Sequence, residues 1–183
     1  MSSNRLVGLG GYKESGKDTF AEGLPRDEWV ILGMSQPLLQ ATLILNPFLP
    51  DLGMTSREAY ESMNQDYTRL KAESPEFRRL LIALGTDVGR DILGENIWVE
   101  IAARSIRETW EKGLNAAITG IRFPNELQMI RDLGGELVWV KRPGLDAPAI
   151  SHASETSVSG ADFDRTILND STVEELHEKA ARY

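Results

Sequence analysis

The segment GGYKESGKDTF, residues 10–20, sets Gly11, Gly16 and Lys17 at the spacing Gly-x-x-x-x-Gly-Lys. Glycines so placed let backbone N–H groups close around phosphate oxygens, and the lysine adds a compact positive charge for a transferring phosphoryl group. The next position normally carries Ser or Thr, whose hydroxyl ligates magnesium. Here Asp18 holds that position and Thr19 follows it. A carboxylate can hold the metal directly or through water, or it can cap the coming helix. Thr19 points about 100° further round a helix and is no simple stand-in. The bare pattern also arises by accident in glycine-rich turns, so its placement has to carry the reading.

Four more segments bear chemistry. FRRLLIALGTDVGR, residues 77–90, holds Arg78, Arg79 and Arg90. Arginines bind phosphate through paired hydrogen bonds that lysine cannot match. Ion pairs with Glu76 or Asp87 are the structural alternative. GIRFPNE supplies Arg122, Asn125 and Glu126, with helix capping by Asn125 as a second account. KRPG places Arg142 before a polar stretch of the kind that closes over a nucleotide. SHASE contributes His152, Ser154 and Glu155. A zinc site is disfavoured, because the only other histidine is His177 and cysteine is absent. No nucleophile-elbow sequence supports a serine hydrolase. Trp98 and Trp139 suit core packing, with base stacking by Trp98 as the alternative.

Composition narrows the classes. The chain has 183 residues, 41% hydrophobic and 26% charged, with net charge -8. That excludes a protein whose main task is to coat a nucleic acid polymer. It leaves room for a local basic cleft that binds a small phosphate compound. Without cysteine there is no disulfide and no thiolate nucleophile. No apolar run is long enough for a transmembrane helix, and the start MSSNRLVGLGG lacks the features of a signal peptide. The expectation is a cytoplasmic chain with no membrane partner.

The elements that must position these groups follow from pattern. RLVGLGG reads as a buried strand, Lys17 to Leu24 as a helix, and Trp29 to Met34 as a second strand. Ser35 and Pro37 open a helix through Leu45. NPFLPDLGM reads as a loop. Ser56 to Ala72 is helical in period, and Ser74-Pro75-Glu76 starts the helix that carries the arginines. Asn96 to Lys112 is amphipathic. Asn115 to Ile121 is a buried strand, followed by a helix over PNELQMIRDLGG and a strand over ELVWVKRP. Residues 143–165 read as irregular. RTILND is a short strand, and a closing helix starts at Ser171, with Glu174 at capping-box spacing. Strands alternating with helices predict an α/β fold with a mainly parallel sheet and ligands at the strand carboxyl ends. The phosphate pattern sits where that layout requires it, between first strand and first helix.

Taken in order, GYKESGKDTFA, RRLLIALGTDVGR, IRFPNE, VKRPG, SHASE and ILNDSTVEEL resemble the phage-type deoxynucleoside monophosphate kinases, a branch of the P-loop nucleotide kinases. The GKDT form of the loop is similar to that of phosphomevalonate kinases. The resemblance implies one P-loop kinase domain over 1–183, a three-layer α/β/α sandwich. Within it, about 46–94 would be a helical monophosphate-binding region and about 142–163 a lid. The implied reaction is transfer of the γ-phosphoryl group of ATP to a deoxynucleoside 5′-monophosphate, with Mg2+. Gly11, Lys13, Ser15, Gly16, Lys17, Asp18 and Thr19 would hold ATP, and Asp18 the metal. Arg79, Arg90, Trp98, Glu126, His152 and Glu155 would hold the monophosphate. Lys17, Arg122 and Arg142 would be catalytic. A homodimer, a place in phage DNA precursor supply and, if the chain is phage-encoded, a site of action in the host cytoplasm are also implied. The chain departs from the family pattern twice. Thr119-Gly120 stands where an aspartate usually precedes the arginine, and Ile82 stands where glutamine is expected. A kinase for another small acceptor and a nucleotide-binding module without activity are the rival readings.

Overall fold

The computed structural model describes residues 4–145 and 157–183. In chain order the elements are β1 (Leu6–Gly10), α1 (Lys17–Glu22), β2 (Trp29–Gly33), α2 (Gln36–Leu45), β3 (Phe48–Leu49), β4 (Met54–Thr55), α3 (Ser56–Ser62), α4 (Tyr67–Glu73) and α5 (Pro75–Ala83). A π-helix follows over Leu84–Leu93, then α6 (Ile97–Glu111), β5 (Asn115–Thr119), α7 (Pro124–Asp132), β6 (Glu136–Lys141), β7 (Arg165–Leu168) and α8 (Val173–Ala181). The chain divides into two compact units, one formed by Met1–Met34 with Val99–Tyr183 and the other by Ser35–Trp98. Among the described residues no helix is long and apolar enough to cross a membrane.

The first unit is built on a five-stranded sheet in the order β2-β5-β1-β6-β7. Every pairing in it is parallel. Parallel strands need crossovers, and crossovers cover both faces. The central strands are therefore apolar throughout rather than alternating, and β1 is buried at all five positions. On one face Val7, Leu9, Val138 and Val140 pack with Phe20 and Ala21 of α1 and with Leu176 and Ala180 of α8. On the other, Gly8 lies under Ile130 of α7. These are the three layers expected. The closing helix starts one residue later than its sequence suggests. Thr172, not Ser171, is the N-cap, and its hydroxyl accepts from the Glu175 N–H.

The second unit has its own core of Leu39, Leu49, Ala59, Met63, Leu70, Phe77 and Leu81. Its short helices are held by caps. Thr55 and Glu58 form a capping box on α3, Asp66 accepts from Arg69 N–H on α4, and Ser74 accepts from Phe77 N–H on α5. Four expectations change here. The predicted loop at 46–54 contains the hairpin β3-β4. The helical stretch 56–72 is two helices, broken where Asn64 and Gln65 adopt left-handed backbone, φ 55° and 61°. Ser35 precedes α2 but makes no side-chain cap bond. The arginine helix turns from α to π at Leu84.

Candidate active site

Strand register places the candidate loops along one edge of the first unit. Leu9 pairs with Thr119, Gly10 with Trp139, Gly33 with Thr119, and Lys141 with Leu168. The loop after β1, the Gly120–Phe123 turn after β5 and the Arg142 segment after β6 therefore leave the sheet at the same carboxyl edge. The chain moves from β1 to one side of the sheet and later crosses to the other. Such a switch point is where open α/β sheets bind ligands.

The loop has the backbone that the glycine pattern requires. Gly11 has φ 152°, and a Cβ there would lie 2.4 Å from Ser15 Oγ and 2.6 Å from the Val140 carbonyl oxygen. Glu14 (φ 65°) and Gly16 (φ 91°) are left-handed, and Gly16 is the N-cap of α1. Successive turns of this kind aim backbone N–H groups at one concavity, a general anion-binding device. Ser15 shapes the loop from within. Its N–H donates to the Tyr12 carbonyl at 3.1 Å, and its hydroxyl is buried with no hydrogen-bond partner among the described residues. Lys13 lies at the exposed outer side, 3.6 Å from Glu14.

Lys17 is the first residue of α1, with most of its side chain buried, and its Nζ is 3.7 Å from Asp18 Oδ2. Gly16 occupies the capping position, so Asp18 is not the helix cap. Its carboxylate is largely exposed on the first turn. Among the described residues no three His, Asp or Glu side chains cluster as metal ligands. The donor set fits magnesium nonetheless, because that ion is held by one or two carboxylates together with substrate phosphates and water.

Arg122 leaves the sheet edge just after Gly120, whose φ is 83°. Its position is fixed by Glu126. That residue is only 3% exposed, and Oε2 accepts from the backbone N–H of Arg122 at 2.7 Å and of Phe123 at 3.2 Å. Glu126 thus braces the turn that presents Arg122. The N-cap of α7 is Phe123, so Asn125 lies inside the first turn and does not cap it. Arg142 is exposed at the start of a turn closed by Leu145 N–H to the Arg142 carbonyl, 3.2 Å. His152 and Glu155 lie outside the described residues.

In the second unit, Arg79 is held by Glu76 through two bonds, Nε to Oε2 at 2.8 Å and Nη2 to Oε1 at 2.7 Å. The paired guanidinium holds the Glu76 carboxyl below its ordinary range. Arg90 Nη1 donates to the Glu95 carbonyl at 3.3 Å. Trp98 is committed to the π-helix: Nε1 donates to the Gly85 carbonyl at 2.8 Å, and the indole lies so close to Gly89 that a Cβ there would sit 2.5 Å from it. These contacts are the packing role that the sequence offered for Trp98.

One residue at the sheet edge stands in the ILNDSTVEEL block but has no role in the sequence reading. Asn169 follows β7 directly, its N–H donates to the Lys141 carbonyl at 2.8 Å and its Nδ2 to the Ser15 carbonyl at 2.9 Å. A polar residue one step past a strand's carboxyl end is the signal that could have found it.

The sequence model of the family Deoxynucleotide monophosphate kinase matches residues 34–180. A putative deoxynucleotide monophosphate kinase of Acanthamoeba polyphaga mimivirus is 32% identical over 186 residues, covering 94% of this chain and 92% of that protein. Uncharacterized protein ORF77 of Ictalurid herpesvirus 1 (strain Auburn) is 36% identical over 114 residues, 61% of this chain and 49% of its own length. The deoxynucleotide monophosphate kinase of Escherichia phage RB69 is 27% identical over 124 residues, 67% of this chain and 47% of its own length. The chain thus spans about half the length of the herpesvirus and phage proteins it matches. By the extent of the family match and by the mimivirus relative, the chain belongs to the deoxynucleotide monophosphate kinase family.

Proposed function

We propose that the chain transfers the γ-phosphoryl group of ATP to a deoxynucleoside 5′-monophosphate, giving ADP and the deoxynucleoside diphosphate. The observation that carries this reading is the phosphate loop with Lys17 at the carboxyl edge of a parallel sheet, where Arg122 and Arg142 also emerge. Family membership supplies the acceptor class.

The chemistry asked of the protein is positioning and charge neutralisation. N–H groups of the loop between Gly11 and Lys17 hold the β- and γ-phosphates of ATP. Lys17 places its ammonium on the γ-phosphate, and Thr19 follows on the first turn. Arg122, held by the Glu126 brace, and Arg142 neutralise charge that develops on the transferring group. Arg79 and Arg90 take the acceptor phosphate through paired hydrogen bonds, so the phosphate takes over Arg79 from Glu76. His152 and Glu155 keep the acceptor roles that the resemblance implies. The acceptor attacks as a phosphate oxyanion and needs no dedicated base. Magnesium, when bound, supplies charge neutralisation across the phosphates, and Asp18 is the residue that would hold it together with phosphate oxygens and water. The family resemblance adds a lid over about 142–163, of which 146–156 lie outside the described residues, a homodimer, and a place in phage DNA precursor supply, in the host cytoplasm if the chain is phage-encoded.

A coupled ADP-release assay over a panel of ribo- and deoxynucleoside monophosphates tests the acceptor class. Turnover confined to deoxynucleotides supports it. ATP consumption with only a different phosphorylated acceptor would replace it.

A further inference from the structure

The amide of Asn169 reaches the phosphate loop from the far end of the sequence. Nδ2 donates to the Ser15 carbonyl at 2.9 Å, and a Cβ on Gly16 would lie 2.3 Å from that same nitrogen. The Ser15 oxygen belongs to the peptide that joins Ser15 to Gly16. A trans peptide is planar, with its C=O and N–H pointing opposite ways. Holding the oxygen on the Asn169 side therefore fixes the direction of the Gly16 N–H. Gly16 has no side chain of its own to set that direction, and α1 receives no side-chain cap bond at its N-cap. Asn169 is itself held in place, since its backbone N–H donates to the Lys141 carbonyl at 2.8 Å, one residue before Arg142. One side chain and its backbone thus tie the phosphate loop to the point where the Arg142 segment leaves β6.

We propose that Asn169 is a positioning residue of the donor site: it orients the Ser15–Gly16 peptide so that the loop is set for ATP phosphates before ATP arrives. This rests on the reading of the loop as the ATP site. The contact is loop geometry, so its loss acts on ATP and leaves the acceptor alone. Alanine removes the donor. Aspartate keeps the shape but turns a carboxylate toward the Ser15 oxygen and toward bound phosphates, so it is the worse substitution.

The experiment compares the full chain with Asn169→Ala and Asn169→Asp. Equilibrium ATP binding is measured by calorimetry, and KM for ATP and for a deoxynucleoside monophosphate by ADP release, with Tm as the check on folding. Asn169→Ala is expected to weaken ATP binding and raise its KM about tenfold, the loss of one oriented hydrogen bond. Its monophosphate KM stays within about twofold, and Asn169→Asp weakens ATP binding further. Unchanged ATP affinity in both variants, equal losses for the two substrates, or equal losses in the alanine and aspartate variants would overturn the proposal. If Asn169→Ala does not fold, the aspartate variant and Asn169→Ser decide: serine must retain more ATP affinity than aspartate. A wild-type chain that binds ATP but phosphorylates no deoxynucleotide overturns the acceptor reading alone, and the binding series still decides Asn169. A wild-type chain that binds no ATP overturns both.

Discussion

Replacing Glu126 separates a structural brace from a substrate contact. Its buried carboxylate accepts two backbone N–H bonds, one short at 2.7 Å and one longer at 3.2 Å. A hydrogen bond to a charged group contributes about 1.5–3 kcal/mol, with the longer bond at the low end. Glu126→Ala removes both acceptors at once, so a loss of about 3–4 kcal/mol follows. For a chain of this size each kcal/mol moves Tm by about 2–4 °C, which makes the expected fall about 6–16 °C. Glu126→Gln keeps the volume and one carbonyl acceptor in place, and about 1 kcal/mol is expected, or about 2–4 °C. Activity should follow the brace. The alanine variant releases the turn that presents Arg122 and lowers kcat at least about tenfold, because misplacement near 1 Å is enough to do so. The glutamine variant keeps its monophosphate KM within about twofold. Circular dichroism melts and ADP release read both effects. The reasoning is refuted if Glu126→Ala melts within about 2 °C of wild type. It is refuted equally if Glu126→Gln raises the monophosphate KM about tenfold at unchanged Tm, the mark of a direct substrate contact.

Two further outcomes are expected. Trp98→Phe leaves the Gly85 carbonyl without the indole N–H that now reaches it at 2.8 Å. It should cost about 1 kcal/mol in melts without changing the ranking of deoxynucleotide acceptors, whereas a changed ranking at unchanged Tm would favour base stacking over packing. Asp51 accepts from Ser74 Oγ at 2.8 Å and Glu76 N–H at 3.0 Å, beside the cap of α5. Burial pushes its carboxyl up, but the Glu76 N–H, the Ser74 hydroxyl and the backbone N–H groups of Asp51 and Leu52 outweigh it, and the net direction is below the ordinary 3.8. A depressed folded-state pKa gives stability that is present above the unfolded value and lost as pH falls through the folded one. Asp51→Asn should therefore flatten the fall in Tm between about pH 5 and about pH 2, and an unchanged slope would contradict the assignment.

Much of the first unit was legible because its signals are local. β1 reads as a strand from a short apolar run and is buried at all five positions, and the glycine spacing after it marks Gly11 and Gly16, whose φ values glycine takes easily. Strand and helix alternation was enough for a parallel sheet, and the carboxyl-edge rule placed Arg122 and Arg142. What escaped depends on partners distant in sequence or on small backbone choices. The π-turn at Leu84–Leu93 keeps the apolar pattern of a helix, and its distinguishing contacts come from Trp98. The break at Asn64 and Gln65 uses left-handed non-glycine residues; asparagine is the weaker of the usual helix stops, and no glycine or proline marks the site. Glu126 sits at capping-box spacing, so its backbone task was readable in principle, but its place at the sheet edge suggested a ligand instead. Arg79 had two readings, and the Glu76 pair satisfies the structural one while leaving the arginine side chain 63% exposed. Asn169 touches a residue 154 positions away, a separation no local pattern encodes.

The most direct measurement is transfer of labelled γ-phosphate from ATP to a deoxynucleoside monophosphate, followed by chromatography of the product, with wild type and Lys17→Ala side by side. Labelled deoxynucleoside diphosphate from wild type, reduced at least about a hundredfold in Lys17→Ala, is the expected result for a lysine that stabilises charge on the transferring group. Transfer at the wild-type rate by Lys17→Ala, or label released only as inorganic phosphate, would contradict it.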